Sequence, residues 1–276
     1  MINGLERTTT LNNGTKMPWV GVGTFKIPDG PEVEKTVSSA LDIGYRHIDT
    51  ATYYGNERGV GKVINDSMLE RDDVFITTKL WTTDMGFDKA FKAFDQSLDL
   101  LDMDYVDLYL VHWPKKGLIK DTWSALERIY ETGRARAIGV SNFQIHHLEE
   151  LLEGADIVPA VNQIEYHPYL NQRDVREFCE EHKIQVVGWS PLIRGKIVNN
   201  PSISAISKKY GKTPAQIALR WALQHDVVVI PKTVHEERLR ENANVFDFVL
   251  ADEDMEIIDA LDGGTRIGPH PDHVDF

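Results

Sequence analysis

The sequence predicts an α/β protein: a closed (β/α)8 TIM barrel with an N-terminal β-hairpin and a C-terminal helix and tail. Three observations carry that expectation. Short β-type runs alternate with amphipathic helical patterns along most of the chain, which implies a parallel sheet with helices outside it. Eight such runs occur, at nearly regular spacing. An open, doubly wound sheet usually carries Gly-x-Gly-x-x-Gly after its first strand. Here Gly21-Val22-Gly23-Thr24-Phe25-Lys26 and Gly59-Val60-Gly61-Lys62-Val63-Ile64 both lack the third glycine. No linker, low-complexity stretch or composition shift divides the chain, so residues 1–276 are expected to form one domain.

Taken in order, Thr8 to Pro18 reads as a hairpin, with Asn13-Gly14 supplying positive-φ residues at a tight turn. Strands are expected near Val20–Gly23, Arg46–Asp49, Val74–Lys79, Val106–His112, Arg136–Ser141, Val161–Glu165, Gln185–Ser190 and Val227–Pro231. Between them, Phe87, Phe91, Phe94, Leu98 and Leu101 recur at steps of three and four and share one helix face. Asn142 suits the N-cap of a helix over Phe143–Leu152. Thr213-Pro214-Ala215-Gln216 carries a Thr cap, a Pro at the first helical position and a Gln three residues on, the pattern of a capping box. Ile217, Ala218 and Trp221 then form that helix's buried stripe.

The formal charge of −13 argues against nucleic acid or an anionic membrane as partner, because both require a basic footprint. No apolar run approaches the ~20 residues that span a bilayer, and Met1 to Thr10 lacks the basic-then-apolar pattern of a signal peptide. A cytoplasmic location is therefore expected. The single cysteine, Cys179, fits a reducing compartment and lies in a helical stretch, Arg173 to His182, as packing. Gly211-Lys212-Thr213 resembles the tail of a P-loop, but Ile206 stands where its first glycine is required. His146 and His147, with Glu149 and Glu150, read as a solvated helix face, since adjacent helical residues diverge. His270 and His273 lie in a Pro- and Asp-rich tail without a ligand cluster at metal spacing, so no metal is expected.

Chemistry concentrates in four residues. Asp49, Tyr54, Lys79 and His112 each sit at or just past the end of a short apolar run. On neighbouring parallel strands those ends share one face, where ligands of such folds bind. A phenol near pKa 10 is a weak acid at neutral pH. A lysine ammonium beside Tyr54 would stabilise its phenolate and lower that value, and a buried Lys79 in turn needs a carboxylate such as Asp49. His112 can hold or polarise a carbonyl oxygen. Together they suit proton transfer during carbonyl reduction.

These residues lie within Gly44-Tyr45-Arg46-His47-Ile48-Asp49-Thr50-Ala51, Tyr54-Gly55-Asn56-Glu57, Thr78-Lys79-Leu80-Trp81 and His112-Trp113-Pro114. Further along come Gly139-Val140-Ser141-Asn142-Phe143, Asn162-Gln163 and Ile230-Pro231-Lys232-Thr233. Over nearly its whole length the chain resembles the aldo-keto reductase superfamily, and within it the bacterial diketogluconate and glyoxal reductases. The resemblance implies a barrel that uses NADPH (NADP) without a Rossmann domain. It implies Tyr54 as general acid, Lys79 and Asp49 as the groups that tune it, and His112 as the residue that orients the carbonyl. By the same matching, Ser141, Asn142 and Gln163 would bind the nicotinamide carboxamide and Trp189 would stack on the ring. Ser190, Pro191, Leu192 and Thr24 would line pyrophosphate and ribose. Lys232, Thr233, Val234 and Arg238 would surround the 2′-phosphate, with Glu241 and Asn242 near the adenine. His235 stands where some relatives carry a further arginine.

Phe25, Trp81 and Trp113 fall on loops after strands one, three and four, where relatives place an aromatic substrate wall. The loop Pro114 to Lys120 and the tail after Gly264 are short, which suggests an open pocket for small aldehydes, dicarbonyls or sugar-derived ketones. The expected partner is a small carbonyl substrate, taken by a monomer. An alternative is a catalytically weak NADPH-binding sensor or structural barrel. The intact Asp49, Tyr54, Lys79 and His112 weigh against it.

Overall fold

The structure, a computed structural model, describes residues 4–274 and 276. Strands β1 (Thr8–Thr10) and β2 (Lys16–Pro18) pair antiparallel. Eight further strands form one parallel sheet in sequence order: β3 (Val22–Gly23), β4 (His47–Asp49), β5 (Phe75–Leu80), β6 (Leu108–Val111), β7 (Ile138–Ser141), β8 (Val161–Glu165), β9 (Gln185–Trp189) and β10 (Val228–Val229). Each expected strand is present, several trimmed by a residue or more where the ladder ends.

The sheet closes where Val20 bridges Val229. Gly21 N donates to Val229 O at 2.8 Å, and Val229 N to Trp19 O at 3.0 Å. The glycines of the first run serve this seam. A Cβ on Gly23 would meet Ile230 O at 2.9 Å, and one on Gly21 would meet the buried His47 ring at 2.5 Å.

Ten helices, α1 (Pro31–Ile43), α2 (Glu57–Asp66), α3 (Phe87–Leu101), α4 (Ile119–Glu131), α5 (Ile145–Leu152), α6 (Arg173–Glu181), α7 (Pro201–Tyr210), α8 (Pro214–Gln224), α9 (Glu236–Ala243) and α10 (Asp252–Asp259), are found among the described residues. The larger core, including Val33, Val37, Phe94, Trp123 and Trp221, joins helices to sheet. A second core of Phe75, Leu108, Leu110, Val161, Val187 and Val228 fills the lumen, and the hairpin adds Leu11 and Met17 to it. Thr9 Oγ1 donates to Gln185 Oε1 at 2.9 Å, Asn12 Nδ2 to Pro159 O at 3.0 Å and Asn13 Nδ2 to Arg136 O at 2.8 Å. Those partners stand at the starts of β7, β8 and β9, so the hairpin stoppers the amino ends of the strands and leaves the carboxyl ends for chemistry.

Three local expectations change. Only Gly14 takes positive φ in the hairpin turn; Gly14 N donates to Leu11 O, which makes a β-turn followed by a left-handed glycine rather than a two-residue turn. On α3 the buried stripe runs through Ala90, Ala93, Phe94, Ser97, Leu98 and Leu101, while Phe87 is exposed, because small residues let the helix approach the sheet. Asn142 does not cap a helix. α5 begins at Ile145, and Asn142 lies outside it at φ 64°. The capping box at Thr213 is present, with Thr213 Oγ1 accepting from Gln216 N and Gln216 Oε1 from Thr213 N. Cys179 is buried on α6, where burial pushes its thiol up to about 12. No helix among the described residues is long and apolar enough to cross a membrane.

Candidate active site

Asp49 ends β4, Lys79 lies next to last in β5, and His112 directly follows β6. Tyr54 ends a single helical turn, Thr52–Tyr54, that Gly55 terminates at φ 65°. The parallel register therefore brings four distant residues to one rim. Lys79 is fully buried, and its ammonium finds three acceptors. Nζ donates to Asp49 Oδ1 at 2.6 Å, to Thr50 O at 2.8 Å and to Tyr54 Oη at 3.4 Å. The Tyr54 and His112 rings meet edge to face, 5.6 Å apart.

Burial lowers the Lys79 pKa, and the Asp49 charge opposes that loss of charge. His112 is held well below its usual range, by burial first and then by the Lys79 charge, so its imidazole is neutral. Its buried Nδ1 has no hydrogen-bond partner among the described residues. Tyr54 departs from expectation. Burial and the Asp49 carboxylate push its phenol well above the ordinary value. Burial is the larger cause, and Asp49, which lies 2.6 Å from the Lys79 ammonium, the second. The resting group is a protonated phenol.

A continuous polar chain leads away from this cluster. Gln163 Nε2 donates to Asp49 Oδ2 at 2.7 Å, and Ser141 Oγ to Gln163 O at 2.9 Å. Asn142 Nδ2 donates to Ser141 Oγ and to His112 O, and Trp189 Nε1 donates to Asn142 Oδ1 at 2.9 Å. Ser141, Asn142, Gln163 and Trp189 are thus linked to Asp49 and to the His112 carbonyl. Thr24 points its hydroxyl at Asp49 O. Ser190 turns the chain at φ 53°, ahead of a buried Pro191 and half-buried Leu192. Past β10, Thr233 Oγ1 accepts from His235 N, and Val234 packs on the outer core. Lys232 and Arg238 are exposed, with no ion pair or side-chain hydrogen bond found among the described residues. Glu241 accepts from Thr213 Oγ1 at 2.6 Å and so supports the α8 cap, while Asn242 is buried on α9.

The aromatic wall is larger than expected. Phe25 lies 5.0 Å from the Tyr54 ring, and Trp81 5.2 Å from His112. Tyr53 stacks on Trp81 at 3.9 Å. Phe276 packs against both Trp81 and Trp113, on the neighbouring loops after β5 and β6, so the tail adds to the wall.

Sequence reasoning missed what holds that tail. Buried Glu165 accepts from His167 Nε2 at 2.8 Å, Ile267 N at 2.6 Å and Gly268 N at 3.1 Å. Gly268 lies against the Trp189 ring with no room for a Cβ. Strand alternation places Glu165 on the same face as Gln163, a signal that could have found it. Asn56 was also given no role. Its side chain ties Thr24 O, Ile27 O and the Thr50 hydroxyl together beneath the site.

Residues 19–263 match the Aldo/keto reductase family. The chain belongs to that family. It is 50% identical to the glyoxal reductase of Bacillus subtilis (strain 168) over 276 residues, covering all of both chains. An aldo-keto reductase from a Medee basin deep-sea metagenome library superposes with TM-score 0.95 at 43% identity, over 98% of this chain and 100% of that one. A variant of Gox0644 solved in complex with NADPH superposes with TM-score 0.93 at 41% identity, over 98% and 99% of the two chains.

Proposed function

We propose that the chain is an NADPH-dependent reductase of aldehydes and ketones, working as one barrel domain with Tyr54 as general acid. The observation that carries the reading is the Lys79 ammonium shared between Asp49 and the Tyr54 hydroxyl, with His112 edge-on to the same phenol. The NADPH complex of a relative at 41% identity supports the cofactor.

The residues present fit that cofactor. Lys232 and Arg238, two cations without a counter-charge among the described residues, suit a phosphate dianion. Ser141, Asn142 and Gln163 can exchange their internal bonds for a carboxamide, and Trp189, held by Asn142, offers a flat aromatic face. Bound there, NADPH would supply the hydride that reduces the substrate carbonyl carbon.

The chain's own residues do the rest. Neutral His112 donates a hydrogen bond to the carbonyl oxygen and fixes its direction. Tyr54, protonated at rest, gives its proton to that oxygen as negative charge builds. Lys79 stabilises the phenolate that forms, and Asp49 keeps Lys79 charged in its buried place. Phe25, Trp81, Trp113 and Phe276 exclude water, which strengthens these interactions. Small aldehydes and dicarbonyls are the favoured substrates, and the glyoxal reductase relative of Bacillus subtilis supports that class. Loss of NADPH absorbance against a panel of small aldehydes tests the reading. Tyr54→Phe should cost roughly 10²–10⁴ in turnover while NADPH binding survives. Near-normal turnover in that variant would remove Tyr54 from the mechanism.

A further inference from the structure

We propose that His146, His147 and Asp272 form a binding site for a divalent transition-metal ion of the zinc type, which staples the C-terminal tail to α5. The sequence alone does not suggest it, because the two histidines are adjacent on a helix and the aspartate lies 125 residues away. The fold joins them. His146 and His147 open α5 and turn their rings toward each other, with centroids 4.0 Å apart. The tail crosses above them, and the turn Pro271–His273 aims the Asp272 carboxylate at both.

The distances favour a shared cation over a pair of hydrogen bonds. His146 Nε2 and His147 Nε2 lie 3.2 and 3.5 Å from the same oxygen, Asp272 Oδ1. The second is too long for a sound N–H···O bond. Bonds of about 2.0–2.2 Å in a tetrahedral centre set ligand atoms about 3.3–3.5 Å apart. Asp272 Oδ1 already stands at about that spacing from both nitrogens, and the three ligand atoms all lie within 4.8 Å of one another. Two imidazoles and one carboxylate suit Zn²⁺, Ni²⁺ or Cu²⁺ rather than Mg²⁺ or Ca²⁺, whose ligands are oxygens. A water completes the tetrahedron.

Metal binding carries one local cost. Without metal, His147 Nδ1 accepts from Gln144 N at 3.2 Å. Metal on Nε2 places the proton on Nδ1, so that bond is lost and the affinity falls by up to about tenfold. The gain is a third fastening of the tail, between the amides held by Glu165 and the terminal Phe276 on Trp81.

The test is isothermal titration of Zn²⁺ into tag-free, full-length protein, beside His146→Ala and Asp272→Ala. Neither residue belongs to the carbonyl or cofactor site, and circular dichroism checks that both variants fold. His147 is left intact because it also caps α5. One saturable Zn²⁺ per chain is expected, weakened at least about tenfold in each variant, with Mg²⁺ unable to compete. Zinc should also slow amide exchange across residues 268–274 in the parent protein only. Absence of saturable zinc binding, or binding that survives both substitutions, would overturn the proposal. Neither readout depends on catalytic activity.

Discussion

Asp49→Asn tests the electrostatic core of the site, because it keeps the side chain's shape and removes its charge. Lys79 is completely buried, and its Nζ lies 2.6 Å from Asp49 Oδ1. At that separation, and at an effective dielectric constant of 20, the attraction amounts to about 6 kcal/mol. Much of it offsets the cost of burying both charges. Breaking a buried pair typically costs 3–5 kcal/mol, and the surviving bond to Thr50 O argues for about 3. For a chain of this size that predicts a melting temperature lower by roughly 6–12 °C.

The pH dependence carries the finer test. Burial depresses the Lys79 pKa and Asp49 partly restores it, so the substitution should depress it further. A base whose folded pKa lies below its unfolded value penalises folding at low pH and ceases to do so as pH rises. The variant's stability deficit should therefore shrink on moving toward alkaline pH. The alkaline limb of kcat/KM should move the other way, to lower pH, because support for the Tyr54 phenolate disappears when Lys79 loses its proton. Differential scanning calorimetry and a kcat/KM profile across pH read the two effects. An unchanged melting temperature together with an unmoved alkaline limb would show that Asp49 does not hold the ammonium.

Two further outcomes are expected. Lys232→Met should raise the Michaelis constant for NADPH much more than for NADH, measured by initial rates; equal changes would detach Lys232 from the 2′-phosphate. Glu165→Gln sets an amide NH₂ against backbone N–H donors, so it should cost about 1–3 kcal/mol and speed amide exchange at Ile267 and Gly268. Burial alone would raise the Glu165 pKa, but the bonds from His167 and those two amides outweigh it and lower the pKa. The tail's fastening is thus complete above the ordinary carboxylate value of about 4.3 and is lost as pH falls from there through the lowered folded pKa. A variant tail that still loosens on acidification would place the titrating group elsewhere.

Much of this site can be read from the chain because parallel barrels place strand ends on one rim. Asp49, Lys79 and His112 are each the last or nearly the last residue of an apolar run, and period-two alternation settles which side chains point inward. Glu165 shows the limit of such reading. Its alternation with Gln163 marks the face, yet its partners, Ile267 and Gly268, lie about a hundred residues away and contribute only backbone amides. Backbone donors leave no trace in residue identity. Asn142 shows the opposite error. A residue with good capping chemistry went instead to a left-handed turn, because His112 O and the Trp189 indole compete for its amide.

The sequence by itself determined the eight-fold alternation, the absence of a dinucleotide glycine fingerprint and the four titratable residues at the strand ends. These are local patterns, written in hydrophobic period and residue type. Only the tertiary structure decided the direction in which the Tyr54 pKa moves, since that follows from its burial and then from the Asp49 carboxylate beside it. The same holds for the course of the tail, which sets Phe276 against Trp81 and Trp113 and Asp272 beside two histidines of α5. Both are matters of distance between segments far apart in the chain, and they are fixed only when the barrel closes.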